Sequence, residues 1–334
     1  MMDNSRQRKP GDRIIHPRRI HHFHLKRTLG VFGLFSAGYG DVGSSIYYGL
    51  GLVAIVALGA TPIALGIAGL IYVTNALTYA EGGAMIPEAG GSASFARRAF
   101  NRTVGFAAGW ALLLSYIATM AISAYTIPPY LSYFWPVLNQ PAVGTTVSIA
   151  IIAFLALINV IGVRESTGIN LFFIVIDIGT QISLIILGVI LILAVDPHIL
   201  GQHMFGAGNW PSTQNLVYGI AIAALCFTGV ETVSQLGEET RLPAKRIPRA
   251  YIMMIIAVLV IFAGISIVAL ASMTPQILGD PVNGWARDPV AGIASNLPSQ
   301  TLRSIFAPLV AVLAASILLV ATNAGLLGIS RLTF

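Results

Sequence analysis

Ser36-Ala37-Gly38-Tyr39-Gly40-Asp41-Val42-Gly43-Ser44-Ser45-Ile46-Tyr47-Tyr48-Gly49-Leu50-Gly51 puts five glycines and one carboxylate into sixteen residues. Each glycine lowers helix propensity by about 1 kcal/mol relative to alanine, so a helix is expected to open here. The flanks say where that opening lies. From residue 30 to 59 the chain carries no charge other than Asp41, and the run is long enough to cross a hydrocarbon layer of about 30 Å. Open backbone at that depth is tolerated only where protein shields it or it lines a cavity, which makes the stretch a candidate binding site. The glycines by themselves also fit close helix packing, which membrane helices use routinely. Asp41 tips the reading toward a site, because a carboxylate at the bilayer centre costs about 2.5–3.5 kcal/mol and packing needs no charge.

The rest of the chain fits this setting. Its 334 residues are 56% apolar and 10% charged, with a mean hydropathy of +0.80. A soluble domain carries roughly 25% charged residues, so an ordinary cytosolic enzyme is excluded. Alternating ten-residue segments of the kind a membrane barrel requires are absent, which leaves an all-α polytopic membrane protein. Windows of about 19 residues place eight spans, near 30–59, 62–86, 104–127, 144–163, 169–194, 215–237, 250–272 and 305–330. With that division, 17 of the 19 Lys and Arg fall on one side of the membrane; Arg287 and Arg303 fall on the other. The positive-inside rule makes the basic side cytoplasmic, giving a multi-pass protein of the cell membrane with a cytoplasmic N-terminus. The net charge of +6 is thus a topology signal and no argument for nucleic acid. Residues 1–29 read as a basic cytoplasmic tail lacking the apolar core of a cleaved signal. His21, His22 and His24 in it have no Cys or acid nearby to complete a metal site, so neither a metal nor another cofactor is expected. Cys226 is the only cysteine and allows no internal disulfide.

A second interruption stands in the sixth span, at Phe227-Thr228-Gly229-Val230-Glu231, where a glycine again lies beside an acid. A glycine-interrupted helix opening each half of a chain points to a transporter of inverted repeats, holding solute near the midplane. The first repeat then covers 30–194, an extracytoplasmic loop 195–214, and an incomplete second repeat 215–334. Asp41, Glu81, Asp177 and Glu231 are the acids within spans, with no Lys or Arg among them. Each needs a proton, a cation or water, and such groups can couple solute movement to an ion gradient. Glu81, near the end of span two, reads better as a snorkelling residue. Asp177, mid-span, reads as a proton or cation site, and Glu231 as a partner for amides freed by the break. An enzyme would need a nucleophile–base pair or metal set at one depth, and no His lies in any span.

Several stretches together resemble the amino acid, polyamine and organocation permease superfamily. They are Tyr79-Ala80-Glu81 with Ile86-Pro87-Glu88-Ala89-Gly90-Gly91-Ser92; Gly105 to Trp110; Phe227 to Glu231 with Glu238-Glu239 and Ile247-Pro248-Arg249-Ala250; and Asn323 to Arg331. The resemblance covers about residues 28–334. It implies a LeuT-like five-helix inverted repeat with helices 1 and 6 broken. Members typically have twelve spans, so by resemblance the chain ends after about the eighth transmembrane helix. It implies a permease moving an amino acid or related amine with H⁺ or Na⁺ as coupling ion. Substrate would meet the first-helix amides of Gly43, Ser44, Ser45 and Ile46 and the sixth-helix carbonyls of Phe227, Thr228 and Gly229. Asp41 and Tyr48 join that set, and Asp41, Asp177 and Glu231 are the coupling candidates. The family's Gly-Ser-Gly reads Gly43-Ser44-Ser45 here, and Asp177 stands where some proton-coupled members have a lysine. The alternative is similarity to a KUP-type potassium/proton symporter, carried by Gly40-Asp41, Ser44-Ser45 and Tyr48. In that case Asp41, Tyr48, Thr228 and Glu231 would offer oxygens to K⁺. The oligomeric state is left open.

Overall fold

The computed structural model describes residues 27–88, 90–161, 167–193 and 195–332. The basic tail through residue 26, with His21, His22 and His24, lies outside the described residues, as do Ala89 and Arg164. Among the described residues the regular structure is helical, apart from one isolated backbone bridge between Leu29 and Thr240.

The first predicted span is α1 (Val31–Val42), a 3₁₀ turn at Gly43–Ser45 and α2 (Ile46–Ala57). The second is α3 (Thr61–Met85), which starts at a Thr-Pro pair suited to a first helical turn. Together these form an apolar helical run of 55 residues, far longer than the roughly 20 needed for one crossing. The run doubles back at Leu58, whose φ of 47° lies outside the helical range. Gly38, early in the run, lies beside Val233, and Gly83, near its end, lies beside Ser234; two antiparallel passes return the chain to the same side.

After the short α4 (Ser92–Ala99) come α5 (Arg102–Leu131), α6 (Pro141–Ile161) and α7 (Thr167–Gly188), the last extended by a π turn at Val189–Leu193. Then follow α8 (Ile199–Phe205), α9 (Thr213–Leu225) and the four-residue α10 (Thr232–Gln235). The long α11 (Pro243–Ser272) is separated from α14 (Gln300–Leu332) by α12 (Pro275–Leu278) and α13 (Pro289–Ser295). Among the described residues, six helices are long and apolar enough to cross a membrane. The first of these is the doubled run of α1 to α3, and α9 is a shorter apolar helix of 13 residues. The protein is a multi-pass membrane protein.

The core is a bundle in which α1 and α2 are surrounded by the others: α1 packs on α7, α11 and α14, and α2 on α9. Leu34, Val42, Ile46, Leu50 and Val53 are fully enclosed there. Large apolar side chains face outward instead on α6, where Phe154, Leu157, Val160 and Ile161 are exposed. That inversion of the soluble pattern is what a lipid solvent selects, since tails are as apolar as leucine.

Candidate functional site

The two interruptions foreseen in the sequence take different forms. The sixth span breaks. After α9 the amides of Cys226, Phe227 and Thr228 bond three residues back, and helical structure resumes only at Thr232. Gly229 sits at the break with φ 94°, a left-handed conformation that favours glycine. Backbone groups released there are taken up locally: Tyr251 Oη donates to the Val230 carbonyl at 2.8 Å and Ser234 Oγ to the Glu231 carbonyl at 2.7 Å. The amides of Gly229 and Glu231 face the Glu231 carboxyl.

The first span does not open, contrary to expectation. Val42, Gly43, Ser45 and Ile46 all keep right-handed helical φ and ψ, and the ladder tightens to a 3₁₀ turn instead of unwinding. The Gly43 amide bonds to the Tyr39 carbonyl and the Ile46 amide to those of Gly43 and Ser44, so neither is free for an anion. Ser44 Oγ donates to the Asp41 carbonyl at 2.7 Å, and Ser45 Oγ pairs with Tyr48 Oη at 2.8 Å. The physical reason lies in what the glycines touch. A Cβ at Gly38 would come within 2.5 Å of Val233 Cγ2, and one at Gly43 within 2.7 Å of the Tyr39 ring. Gly49 faces Cys226, and Gly51 the backbone of Ala286. The glycines are close-approach positions that let span six and a distant loop press against the helix, and packing compensates their low propensity.

What the interruptions share is Asp41. Its side chain is 1% exposed and lies against the break: a Cβ on Gly229 would stand 2.6 Å from its carboxyl carbon. Thr232 Oγ1, at the first position of α10, donates to Oδ2 at 2.5 Å, while Oδ1 is buried with no hydrogen-bond partner among the described residues. Glu231 is close enough to bear on it as a like charge. Two acids 190 positions apart thus lie at the point where one backbone is open, each largely buried (1% and 5% exposed).

Asp177 belongs to a separate cluster. On α7 it accepts from Gln181 Nε2 at 2.8 Å, from Tyr39 Oη at 3.4 Å and, in a short bond, from Tyr47 Oη. Three donors, two of them from the first span, hold the carboxylate between helices. Glu81 is exposed near the end of α3, and Glu88 pairs with Arg98 and, at 3.7 Å, with Arg97. Phe227 stacks on Tyr72 and packs on Phe262, with ring centroids at 5.2 and 4.8 Å, while Thr228 Oγ1 donates back to Leu225.

A cavity of about 420 Å³ opens beside this region. Tyr48 and Leu52 of α2, Ile122, Tyr125 and Thr126 of α5 and the segment Ala286–Arg287 line it. Tyr48, bonded to Ser45, thereby links the tightened turn to open space. Thr232, Tyr39, Tyr47, Gln181 and Tyr125 escaped the sequence reading. Tyrosines about two helical turns apart in a membrane span were the available signal for Tyr39 and Tyr47; nothing local marked Thr232, whose role depends on Asp41 reaching it.

Comparison with known proteins follows the same line. A family profile described as "Amino acid permease" matches residues 29–334. An uncharacterized transporter of Mycobacterium tuberculosis (strain ATCC 25618 / H37Rv) is 25% identical over 313 residues, covering 92% of this chain and 65% of its own length. A branched-chain amino acid permease of Bacillus subtilis (strain 168) is 26% identical over 267 residues, 72% of this chain and 54% of its own length. A methylthioribose transporter of the same organism is 30% identical over 300 residues, 81% and 62% respectively. The chain therefore spans less than two thirds of the curated relatives it matches. The potassium-uptake alternative gains no support from these matches.

Proposed function

The chain belongs to the amino acid permease family, a family of transporters and not of enzymes, and on that premise we propose that it carries an amino acid or related amine across the cell membrane, coupled to H⁺ or Na⁺. The observation that carries this reading is Asp41: a buried carboxylate seated in the break of the sixth span, with one oxygen unpartnered among the described residues. A purely structural carboxylate in lipid would have both oxygens satisfied, as Asp177 largely does.

In this reading the solute lies between the tight turn and the break. Gly43, Ser44, Ser45, Ile46 and Tyr48 form one wall; Phe227, Thr228 and Gly229 form the other. The 3₁₀ bonds at Gly43–Ser45 have poorer geometry than α bonds, and a mid-helix 3₁₀ stretch often marks a hinge. Their relaxation would turn the amides of this turn toward a carboxylate, while carbonyls at the break receive an amine. Asp41 and Glu231 take the coupling ion. Asp177, tied to Tyr39 and Tyr47, senses the position of the first helix from behind. Exposure to each side alternates as the bundle bearing the first and sixth spans moves against its surroundings. The basic residues put the N-terminus on the cytoplasmic side.

A thermal-shift screen of the protein against the common amino acids, several polyamines and methylthioribose tests this. Stabilisation by an amine-bearing solute, lost in Ser45→Trp, is expected; stabilisation by methylthioribose alone would overturn the amine assignment. Uptake of the responding solute by proteoliposomes under an imposed H⁺ or Na⁺ gradient identifies the ion, and indifference to both refutes coupling.

A further inference from the structure

Arg287 is one of two basic residues that the positive-inside reading sets opposite the other seventeen, and among the described residues it lines two cavities. One is the apolar space of about 420 Å³ that reaches Tyr48. The other, of about 370 Å³, is polar and lies between the end of α5 and the loop 281–288. The guanidinium sits over the Tyr125 ring, 5.6 Å from its centre, a cation–π placement at the seam. Its hydrogen bonds to the carbonyl and Oδ1 of Asn139 are both long, at 3.4 Å. Among the described residues it forms no ion pair, although Asp288 is its sequence neighbour. Among the described residues no acid lines the apolar cavity.

We propose that Arg287 is a specificity-determining residue that receives the carboxylate of an incoming amino acid with an apolar side chain, at the outer mouth of the path to the site. The inference rests on the function proposed above and narrows its substrate class. A guanidinium with weak existing partners is a fork matched to a carboxylate, and the surrounding Leu52, Ile122 and Tyr125 accept an apolar body. A diamine has nothing to offer this group and is repelled by it. The cavity therefore sorts zwitterions from simple cations before they reach Asp41.

The test compares L-leucine, L-leucine amide and putrescine as ligands in thermal-shift titrations of the purified protein, with leucine uptake measured in proteoliposomes. The amide keeps the amine and side chain but lacks the carboxylate. Wild type is expected to bind leucine at least about tenfold more tightly than the amide, the usual effect of one hydrogen bond to a charged group. Arg287→Gln should narrow that ratio by weakening leucine alone, leaving the preference that the turn amides supply, and Arg287→Lys should narrow it less, since it retains the charge without the fork. Equal affinities in wild type, or an unchanged ratio in Arg287→Gln that melts normally, would overturn the role of Arg287 and leave the transport reading standing. Binding by wild type that survives Ser45→Trp would instead overturn the site itself.

Discussion

Replacing Gly229 by alanine probes the joint between the two interrupted spans. At φ 94° an L-residue bears a backbone penalty of about 1–3 kcal/mol. The new Cβ would also meet the Asp41 carboxyl carbon at 2.6 Å and its oxygens at 2.8 and 2.9 Å, all well inside contact distance. The carboxylate must move, and with it goes the 2.5 Å bond from Thr232, worth about 1.5–3 kcal/mol for a charged acceptor. Gly229→Ala should therefore cost about 3–5 kcal/mol in equilibrium unfolding in mixed micelles. The decisive measurement is a double-mutant cycle. In an Asp41→Ala background the obstructing carboxylate is gone, so only the backbone penalty remains, and the two substitutions should couple by about 2 kcal/mol. Additivity to within about 0.5 kcal/mol, the behaviour of sites that do not touch, would mean that Asp41 does not fill the break.

Three further outcomes are expected. Asp41→Asn should abolish gradient-driven uptake while expression stays near wild type; normal driven uptake would remove Asp41 from coupling. Tyr47→Phe withdraws a donor from buried Asp177 and should lower stability by about 1–3 kcal/mol, whereas Tyr39→Phe, whose bond is 3.4 Å, should cost less; the order is read from unfolding curves. Burial lifts the Asp288 carboxyl, in the loop before α13, to about 7 against the opposing pull of Arg287. Unfolded it titrates near 4, so between about pH 4 and 7 the folded chain holds a proton the unfolded chain has released. Its contribution to stability is complete below about pH 4 and lost as pH rises through 7, and Asp288→Asn should flatten that part of the melting profile.

That the chain is helical, and apolar enough to cross a membrane several times, was legible in the sequence, because apolar length is a local property that lipid thickness converts directly into a span. The sequence also determined the break of the sixth span, since Gly229 beside Glu231 marks a helix that cannot continue cheaply. It misjudged the first. Five glycines around Asp41 carry the same low propensity whether they release the backbone or admit a neighbour, and only the neighbours decide. Val233, Cys226 and Ala286 press on Gly38, Gly49 and Gly51, and Tyr39 lies over Gly43, so the helix stays closed and merely tightens. The division of the acids was likewise decided by tertiary structure. Asp177 finds Tyr39 and Tyr47 about 130 residues back and is held, while Asp41 finds Thr232 and the open turn and keeps a bare oxygen. Such pairings depend on which helix faces meet, and no pattern within a single span encodes that.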